Sequence, residues 1–165
     1  MEIGKELATA AKKQKLCKPY LAEMTKATEI KPLCEMYFRG DDWAMENDFP
    51  ALEVLRKFKG KSDEHGLHTD FKGKLENQKQ IALFGKSEAE LNYTDFFVGN
   101  LIVRHDAKAK IEARGNAFLV VNLLDAALVE IKTFENAKVL VFQYGTNANF
   151  IITGNVEVKE GKFGK

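Results

Sequence analysis

The sequence predicts an α+β protein, in which an N-terminal region of short helices precedes a C-terminal β-solenoid of ten-residue strand-turn units. Apolar residues follow a helical spacing through the first sixty positions, and the three prolines all lie there. Further on, aliphatic residues recur every ten positions. We therefore expect a helical region over residues 1–60, a polar hinge over 61–74, a repetitive β domain over 75–160 and a tail over 161–165.

Composition excludes several classes of protein. The 165 residues suffice for one ordinary domain, and the hydrophobic share of 45% is typical of a chain with a packed core. The chain has 25 Lys and Arg residues and 24 Asp and Glu residues, which gives a net charge of +1. It therefore lacks the excess of basic residues that is typical of proteins that bind nucleic acids or membrane surfaces. Cys17 and Cys34 form no CxxC motif. We expect neither nucleic acid nor membrane among the partners.

The N-terminus lacks the pattern of a secretory signal peptide. Glu2 and Glu6 stand where such a peptide carries basic residues, and lysines interrupt the following stretch. No segment approaches the roughly 18 apolar residues of a membrane span. We expect the chain to stay in the cytoplasm of the cell that makes it.

The first sixty residues predict four or five short helices. The stretch 3–16 has apolar residues on one side and lysines on the other, and Pro19 suits the first turn of the next helix. Gly40 is expected to end a third helix as its C′ residue, and Phe49-Pro50 to break a fourth. Helices this short are not stable alone, so they must pack together.

The β domain is predicted from an internal repeat. The fifth position of each block of ten is mostly a turn former, and the seventh and ninth positions hold mainly small or apolar residues. Positions seven, nine and one are spaced by two, so they share one face of a strand. The first position is always aliphatic, and we expect these side chains to stack in one dry column: Ile81, Leu91, Leu101, Ile111, Val121, Ile131, Val141 and Ile151.

Two architectures fit this repeat, and a β-solenoid is favoured over an antiparallel meander or jelly roll. In a solenoid equal positions lie above one another, which explains the repeated small residue at position seven. Hairpins favour Asn-Gly or Asp-Gly, and neither occurs in the repeat. Gly-Asn does occur, at 99–100, 115–116 and 154–155, so the meander remains the alternative.

Five short stretches of the helical region carry a family resemblance: Gly-Lys-Glu-Leu at 4–7, Cys-Lys-Pro-Tyr at 17–20, Met-Tyr-Phe-Arg-Gly-Asp-Asp at 36–42, Asn-Asp-Phe-Pro at 47–50 and Phe-Lys-Gly at 58–60. They resemble an uncharacterised family of small proteins encoded in Bacteroides genomes, their phages and other mobile elements. The resemblance implies a lineage and a two-part layout, and it transfers no catalytic residue. The chain departs from the family at Tyr20, where the family often has Trp, and at 42–45, where it often has Ile-Asp-Phe-Cys.

No motif predicts catalysis, a metal or a cofactor. His65 and His68 lie in an acidic loop whose spacing matches no zinc signature. His105 lacks the further histidines of a metal site on neighbouring strands, and it suits a turn. Asp41 and Asp42 are adjacent, so they point apart on a helix and suit its first turn. We therefore expect a protein that is not an enzyme.

The predicted function is binding without catalysis. We expect a self-associating or host-protein-binding protein of a phage or mobile element, with a homo-oligomer or a host protein as partner. The alternative is a protein that sequesters a small ligand such as a nucleotide or sugar, with Arg39, Trp43 and Arg104 as contacts. The candidate ligand- or partner-binding residues are Arg39, Trp43, Arg104, Arg114, Phe134 and Tyr144.

Overall fold

The computed structural model describes residues 2–164. Met1, in the predicted helical region, and Lys165, in the predicted tail, lie outside the described residues. The chain divides into two compact units, residues 1–65 and residues 66–165, called here the helical unit and the β unit.

The described part of the helical unit, residues 2–65, contains five helices, which confirms the prediction of four or five. Pro19 lies in the first turn of the second, where its missing N–H costs no helical hydrogen bond. Asp41 and Asp42 lie in the first turn of the fourth, at the positive end of the helix dipole. The helices are α1 (Ile3–Lys13), α2 (Lys18–Lys26), α3 (Ile30–Arg39), α4 (Asp41–Glu46) and α5 (Leu52–Lys57), followed by a 3-10 turn, Asp63–His65.

A close approach of α1 to α2 depends on Gly4. A Cβ at this position would collide with the carbonyl oxygens of Met24 and Ala27, so only glycine fits. Apolar residues of both helices then share one core with α3 and the segment before α5. Its buried members are Ile3, Leu7, Ala8, Ala11, Leu16, Met24, Met36 and Phe49.

Gly40 ends α3, but it is not the left-handed C′ residue that the sequence predicts. Its φ is −115°, and α4 begins at the next residue, Asp41. Because the chain continues into another helix, no reversal of the backbone is needed at Gly40.

The β unit is a parallel β-solenoid, with eleven strands in two sheets over its described residues 66–164, which confirms the predicted fold class. Sheet A has the order β1-β3-β5-β7-β9-β11, and sheet B the order β10-β8-β6-β4-β2. The chain alternates between the sheets, so each strand pairs with the strand two further along. The strands are β1 (Leu67–Thr69), β2 (Lys72–Glu76), β3 (Gln80–Phe84), β4 (Glu88–Tyr93), β5 (Val98–Val103), β6 (Lys108–Ala113), β7 (Phe118–Leu123), β8 (Leu128–Thr133), β9 (Lys138–Gln143), β10 (Asn149–Thr153) and β11 (Val156–Glu160).

The ten-residue period of the sequence becomes a twenty-residue coil. Leu101 pairs with Val121 and Val121 with Val141, so equal positions stack in register. Every pairing is parallel, which excludes the antiparallel meander. Seven of the eight first-position side chains are at most 1% exposed, but they stack in two columns rather than one, because successive units belong to different sheets. Sheet A carries Ile81, Leu101, Val121 and Val141, and sheet B carries Leu91, Ile111 and Ile131.

The bends have left-handed backbone at the fifth position of the repeat. His105, Asp125 and Glu135 adopt φ values of 59°, 56° and 56°. The Ala107 N–H donates to the Arg104 carbonyl at 3.2 Å and closes the β-turn. The seventh position is the inside of this corner, where Ala107, Ala117, Ala127 and Ala137 are at most 1% exposed.

The β unit begins earlier than the sequence predicts. The division between the units falls at 65–66, inside the predicted hinge 61–74, but β1 already lies in that hinge and β2 begins in it. Leu67 pairs with Ala82 and Lys72 with Glu88, offsets of 15 and 16 residues. The first coil is therefore too short to show the ten-residue period.

Ile151 lies outside the column in which the sequence predicts it. Five residues, 144–148, join β9 to β10, whereas four residues, 124–127, join β7 to β8. The extra residue shifts the register, so that Ile152 rather than Ile151 pairs with Ile131. A shift of one residue exchanges the two faces of a strand, and Ile151 is 59% exposed.

Among residues 2–164, no helix is long and apolar enough to cross a membrane.

Candidate functional site

Arg104 holds two coils of the solenoid together. Its Nε lies 3.0 Å from Oδ2 of Asp125 and its second terminal nitrogen 3.4 Å from Oδ1. The same carboxylate accepts a hydrogen bond from the backbone N–H of His105 at 2.9 Å. Nδ1 of His105 in turn accepts a hydrogen bond from the backbone N–H of Gly85 at 3.0 Å. The Arg104 side chain is only 5% exposed, so it does not present its charge at the surface.

Arg114 and Phe134 are two candidate residues that the fold brings together. They occupy the same position in successive coils, and the Arg114 guanidinium carbon lies 3.8 Å from the centre of the Phe134 ring. Arg114 also pairs with Glu112 at 3.3 Å. Its side chain is 47% exposed, so this cation–π pair is accessible to a partner.

Tyr144 holds the C-terminal segment against the solenoid. Its ring stacks on Phe163, with centroids 4.4 Å apart and planes 12° from parallel. Its hydroxyl lies 3.4 Å from Oδ1 of Asn122. Gly161 lies so close to the ring that an added Cβ would come within 2.6 Å of it. Tyr144 thus contacts its own chain on several sides.

Arg39 forms an ion pair on the surface of the helical unit. It binds Glu23 of α2 and lies 5.8 Å above the ring of Tyr20. The hydrogen bond that Arg39 donates to the Glu23 carboxylate raises the pKa of Arg39, which is charged at every physiological pH. The pair links the end of α3 to α2.

Trp43 lines a small apolar cavity in the helical unit. Its ring packs on Phe49 with centroids 5.2 Å apart. The cavity has a volume of about 50 Å³, whereas sites for drug-sized ligands have about 300–1,000 Å³. Its lining is almost entirely apolar: Leu7, Leu16, Tyr20, Met24, Leu33, Met36, Tyr37, Gly40, Trp43, Ala44, Phe49 and Pro50.

An exposed apolar corner, missed from the sequence, lies at the bend between β4 and β5. We call it the Phe96 corner, and it consists of Phe96, Phe97 and Val98, which are 79%, 38% and 61% exposed. Phe97 occupies the seventh position, which holds a buried alanine in the next four units. A phenyl ring is too large for that corner, so this departure from the repeat was the available signal.

A second exposed apolar surface lies at the end of the solenoid. We call β10 and β11 the C-terminal rung, because they are the last strands of their sheets. Ile151 and Ile152 are 59% and 38% exposed. Phe150, Val156 and Val158 pack against the core but are only partly buried. The extra residue in the bend before β10 was the sequence signal for this surface.

The outer face of sheet B carries alternating charges. Lys74, Glu90, Lys110 and Glu130 lie side by side on successive strands. Nζ of Lys74 lies 3.3 Å from Oε2 of Glu90. Each charge has an opposite neighbour, so the face presents no stripe of one sign.

Two buried residues have strongly shifted pKa values. Burial, assisted by the neighbouring charge of Glu35, raises the pKa of the Cys34 thiol to about 12. Burial also raises the pKa of Tyr93, whose hydroxyl donates to the Gln78 carbonyl at 2.6 Å. Both groups stay neutral at physiological pH. No group of three His, Cys, Asp or Glu residues suited to a metal occurs within 2–164.

Comparison of the chain with family models, with curated proteins and with solved structures found no match.

Proposed function

We propose that the protein is a non-enzymatic scaffold of a phage or mobile element that binds other protein chains, either its own copies or host proteins. The observation that carries the proposal is the presence of two exposed apolar surfaces, the Phe96 corner and the C-terminal rung, on the β unit. Clustered apolar residues on a surface mark interaction sites, whereas single ones need no explanation.

The Phe96 corner has the properties of a protein-binding anchor. Fully burying a phenylalanine or valine side chain stabilises a complex by about 1.5–3 kcal/mol. The backbone is held in place, since the Phe118 N–H of the next coil donates to the Phe97 carbonyl at 2.9 Å. A fixed corner loses little conformational freedom on binding, so more of the burial energy goes into affinity.

The small-ligand alternative is less well supported. A nucleotide or sugar needs a larger and more polar pocket than the cavity of about 50 Å³ beside Trp43. Arg104, expected as a contact to such a ligand, is buried against Asp125. A thermal-shift panel of nucleotides and sugars tests this alternative, because a ligand that binds the native state raises Tm.

The main proposal is tested by affinity capture with the purified full chain. The bait is compared with the variant Phe96→Asp, and Ala126→Asp is the matched control because Ala126 is an exposed residue at the same position of another bend. We expect a protein that is retained by the native chain and by Ala126→Asp but lost with Phe96→Asp. A chain that stays monomeric at all concentrations and retains no such protein would overturn the proposal.

A further inference from the structure

The C-terminal rung leaves two strand edges open. Among residues 2–164, β10 pairs only with β8 and β11 only with β9, so each has one side on which the described residues place no strand. β10 runs from Asn149 to Thr153 and contains no charged residue, no proline and no glycine. Charges, proline and bulges are the features that protect an edge strand from pairing with another chain. Because β10 has no charge and no proline, its open edge is a template for a further strand.

The rung also leaves the core of the solenoid open. Ile152 points inward, as its pairing with Ile131 shows, yet it is 38% exposed while Ile131 is fully buried. Val158 points inward beside Val141 and is also only partly buried. A further pair of strands stacked on the rung would bury these side chains as each inner coil buries those of its neighbour.

The opposite end of the solenoid differs. The three residues of β1 are buried, at 5% exposure or less. β2 carries exposed Lys72, Lys74 and Glu76. Because the charges of β2 do not complement the uncharged β10, stacking of one end on the other is disfavoured.

The rung is complementary to its own copy. Suppose that β11 pairs antiparallel with β11 of a second copy, with Val158 of each copy at the centre of the pairing. Glu157 of each copy then lies opposite Lys159 of the other. An equivalent pairing of β10 about Ile151 places Phe150 opposite Ile152. Charge thus meets opposite charge on β11, and apolar side chains meet on β10.

We propose that the C-terminal rung is a self-association site, at which β10 and β11 of two copies pair antiparallel across a two-fold axis. The inference rests on the proposed function in protein binding and names a second copy of this chain as the occupant of the rung. A two-fold contact uses the same surface on both copies, so it closes at a dimer and does not extend into a fibre.

The first test measures mass against concentration for the full chain by sedimentation. We expect a shift from 18.6 kDa to twice that value as the concentration rises, over a range from about 1 μM to about 1 mM. The variant Ile151→Lys adds a charge to an exposed position of β10, and it should raise the dimer Kd at least about tenfold with an unchanged Tm. Ala126→Asp, away from the rung, should leave the Kd unchanged.

The second test reports the register of β11. Glu157→Lys alone and Lys159→Glu alone each place like charges opposite each other and should weaken association. The double exchange Glu157→Lys/Lys159→Glu should restore it, and so should mixing the two single variants. The control is Glu130→Lys, since Glu130 and Lys132 form a similar i,i+2 pair, 3.8 Å apart, on β8. It should have no effect on association.

The outcomes separate this inference from the proposed function. A strict monomer that still retains a protein through the Phe96 corner would overturn the inference and leave the function standing. Dimers that survive Ile151→Lys but are lost with Phe96→Asp, or assemblies that grow beyond a dimer, would also overturn it. Recovery on mixing the two single variants excludes misfolding as the cause of their loss.

Discussion

The guanidinium of Arg104 binds the carboxylate of Asp125, twenty-one residues further along the chain and one coil further along the stack, with Nε 3.0 Å from Oδ2. Arg104 is 5% exposed at its side chain and Asp125 39%. Removing the partner of a largely buried charge costs more than breaking an exposed pair, because the remaining charge keeps its desolvation cost.

Asp125→Asn should therefore destabilise the β unit. Asparagine tolerates the φ of 56° at this position but removes the negative charge that Arg104 faces. We expect the free energy of unfolding in urea to fall by about 1.5–3 kcal/mol. Glu112→Gln, which breaks the exposed pair with Arg114, should cost less than about 1 kcal/mol. Equal costs for the two variants would contradict the structural role of Arg104.

Two glycines with similar backbone should respond differently to alanine. Gly115 and Gly145 have φ values of +66° and +77°, so alanine is strained at both by about 1–2 kcal/mol. A Cβ at Gly115 would also lie 3.0 Å from the backbone nitrogen of Asp95, whereas nothing lies within 4 Å at Gly145. Gly115→Ala should have the lower Tm of the two, and a Tm equal to that of Gly145→Ala would contradict the stacking of these bends.

Adjacent alanines in one bend should tolerate enlargement to very different degrees. Ala127 is fully buried in the corner and Ala126 is exposed. Ala127→Leu should lower the free energy of unfolding by at least about 1–3 kcal/mol, because the corner has no space for the added carbons. Ala126→Leu should change it by no more than about 0.5 kcal/mol. Chemical denaturation of both variants checks this difference, and a tolerated Ala127→Leu would argue against a filled corner.

The two cysteines should differ in reactivity. Cys17 is exposed, whereas Cys34 is buried with its pKa raised to about 12, and the thiolate is the reactive form. We expect iodoacetamide at mildly alkaline pH to label Cys17 in the native protein and both residues in urea. Mass spectrometry of the digested protein identifies the labelled residue. Rapid labelling of native Cys34 would show that the helical core opens readily.

Stability should fall at alkaline pH. Burial raises the folded-state pKa values of Cys34 and Tyr93 above their ordinary values of 9.0 and 10.0, so the folded state binds protons that the unfolded chain releases. The stabilisation is complete below about pH 9 and is lost as the pH rises from there towards the folded-state values. Tm measured across this range should decline, and Tyr93→Phe should reduce the decline above pH 10. A flat profile in the native chain would contradict the burial of both groups.

Much of the architecture can be predicted from the sequence because the signal is local and repeated. Alternation of inward and outward side chains gives a period of two, and each bend returns after ten residues, so the buried first positions from Ile81 to Val141 are visible without coordinates. Turn formers and small corner residues carry the same period. Five short helices follow similarly from helical spacing and from the breaks at Pro19 and Pro50.

The candidate site could be predicted less well. Arg104 and Arg114 hold the same position in the repeat, but two units make one coil, so they lie at opposite corners of it. One is buried against Asp125, and the other is exposed beside Phe134. Burial depends on what surrounds a corner in space, and a ten-residue period carries no information about that.

The sequence by itself determined that the chain forms short helices and then regularly spaced strands and bends, because both periods follow from local backbone geometry. It left parallel and antiparallel stacking open, and only the pairing of strands twenty residues apart decided for the parallel one. Only the tertiary structure decided that β1 and β2 join the stack, since these strands lie outside the period and are defined by pairing with β3 and β4. It also decided that Ile151 faces outward and that the last rung is open. One added residue in a bend reverses the faces of a strand, and that reversal is expressed only when the strand meets its neighbour.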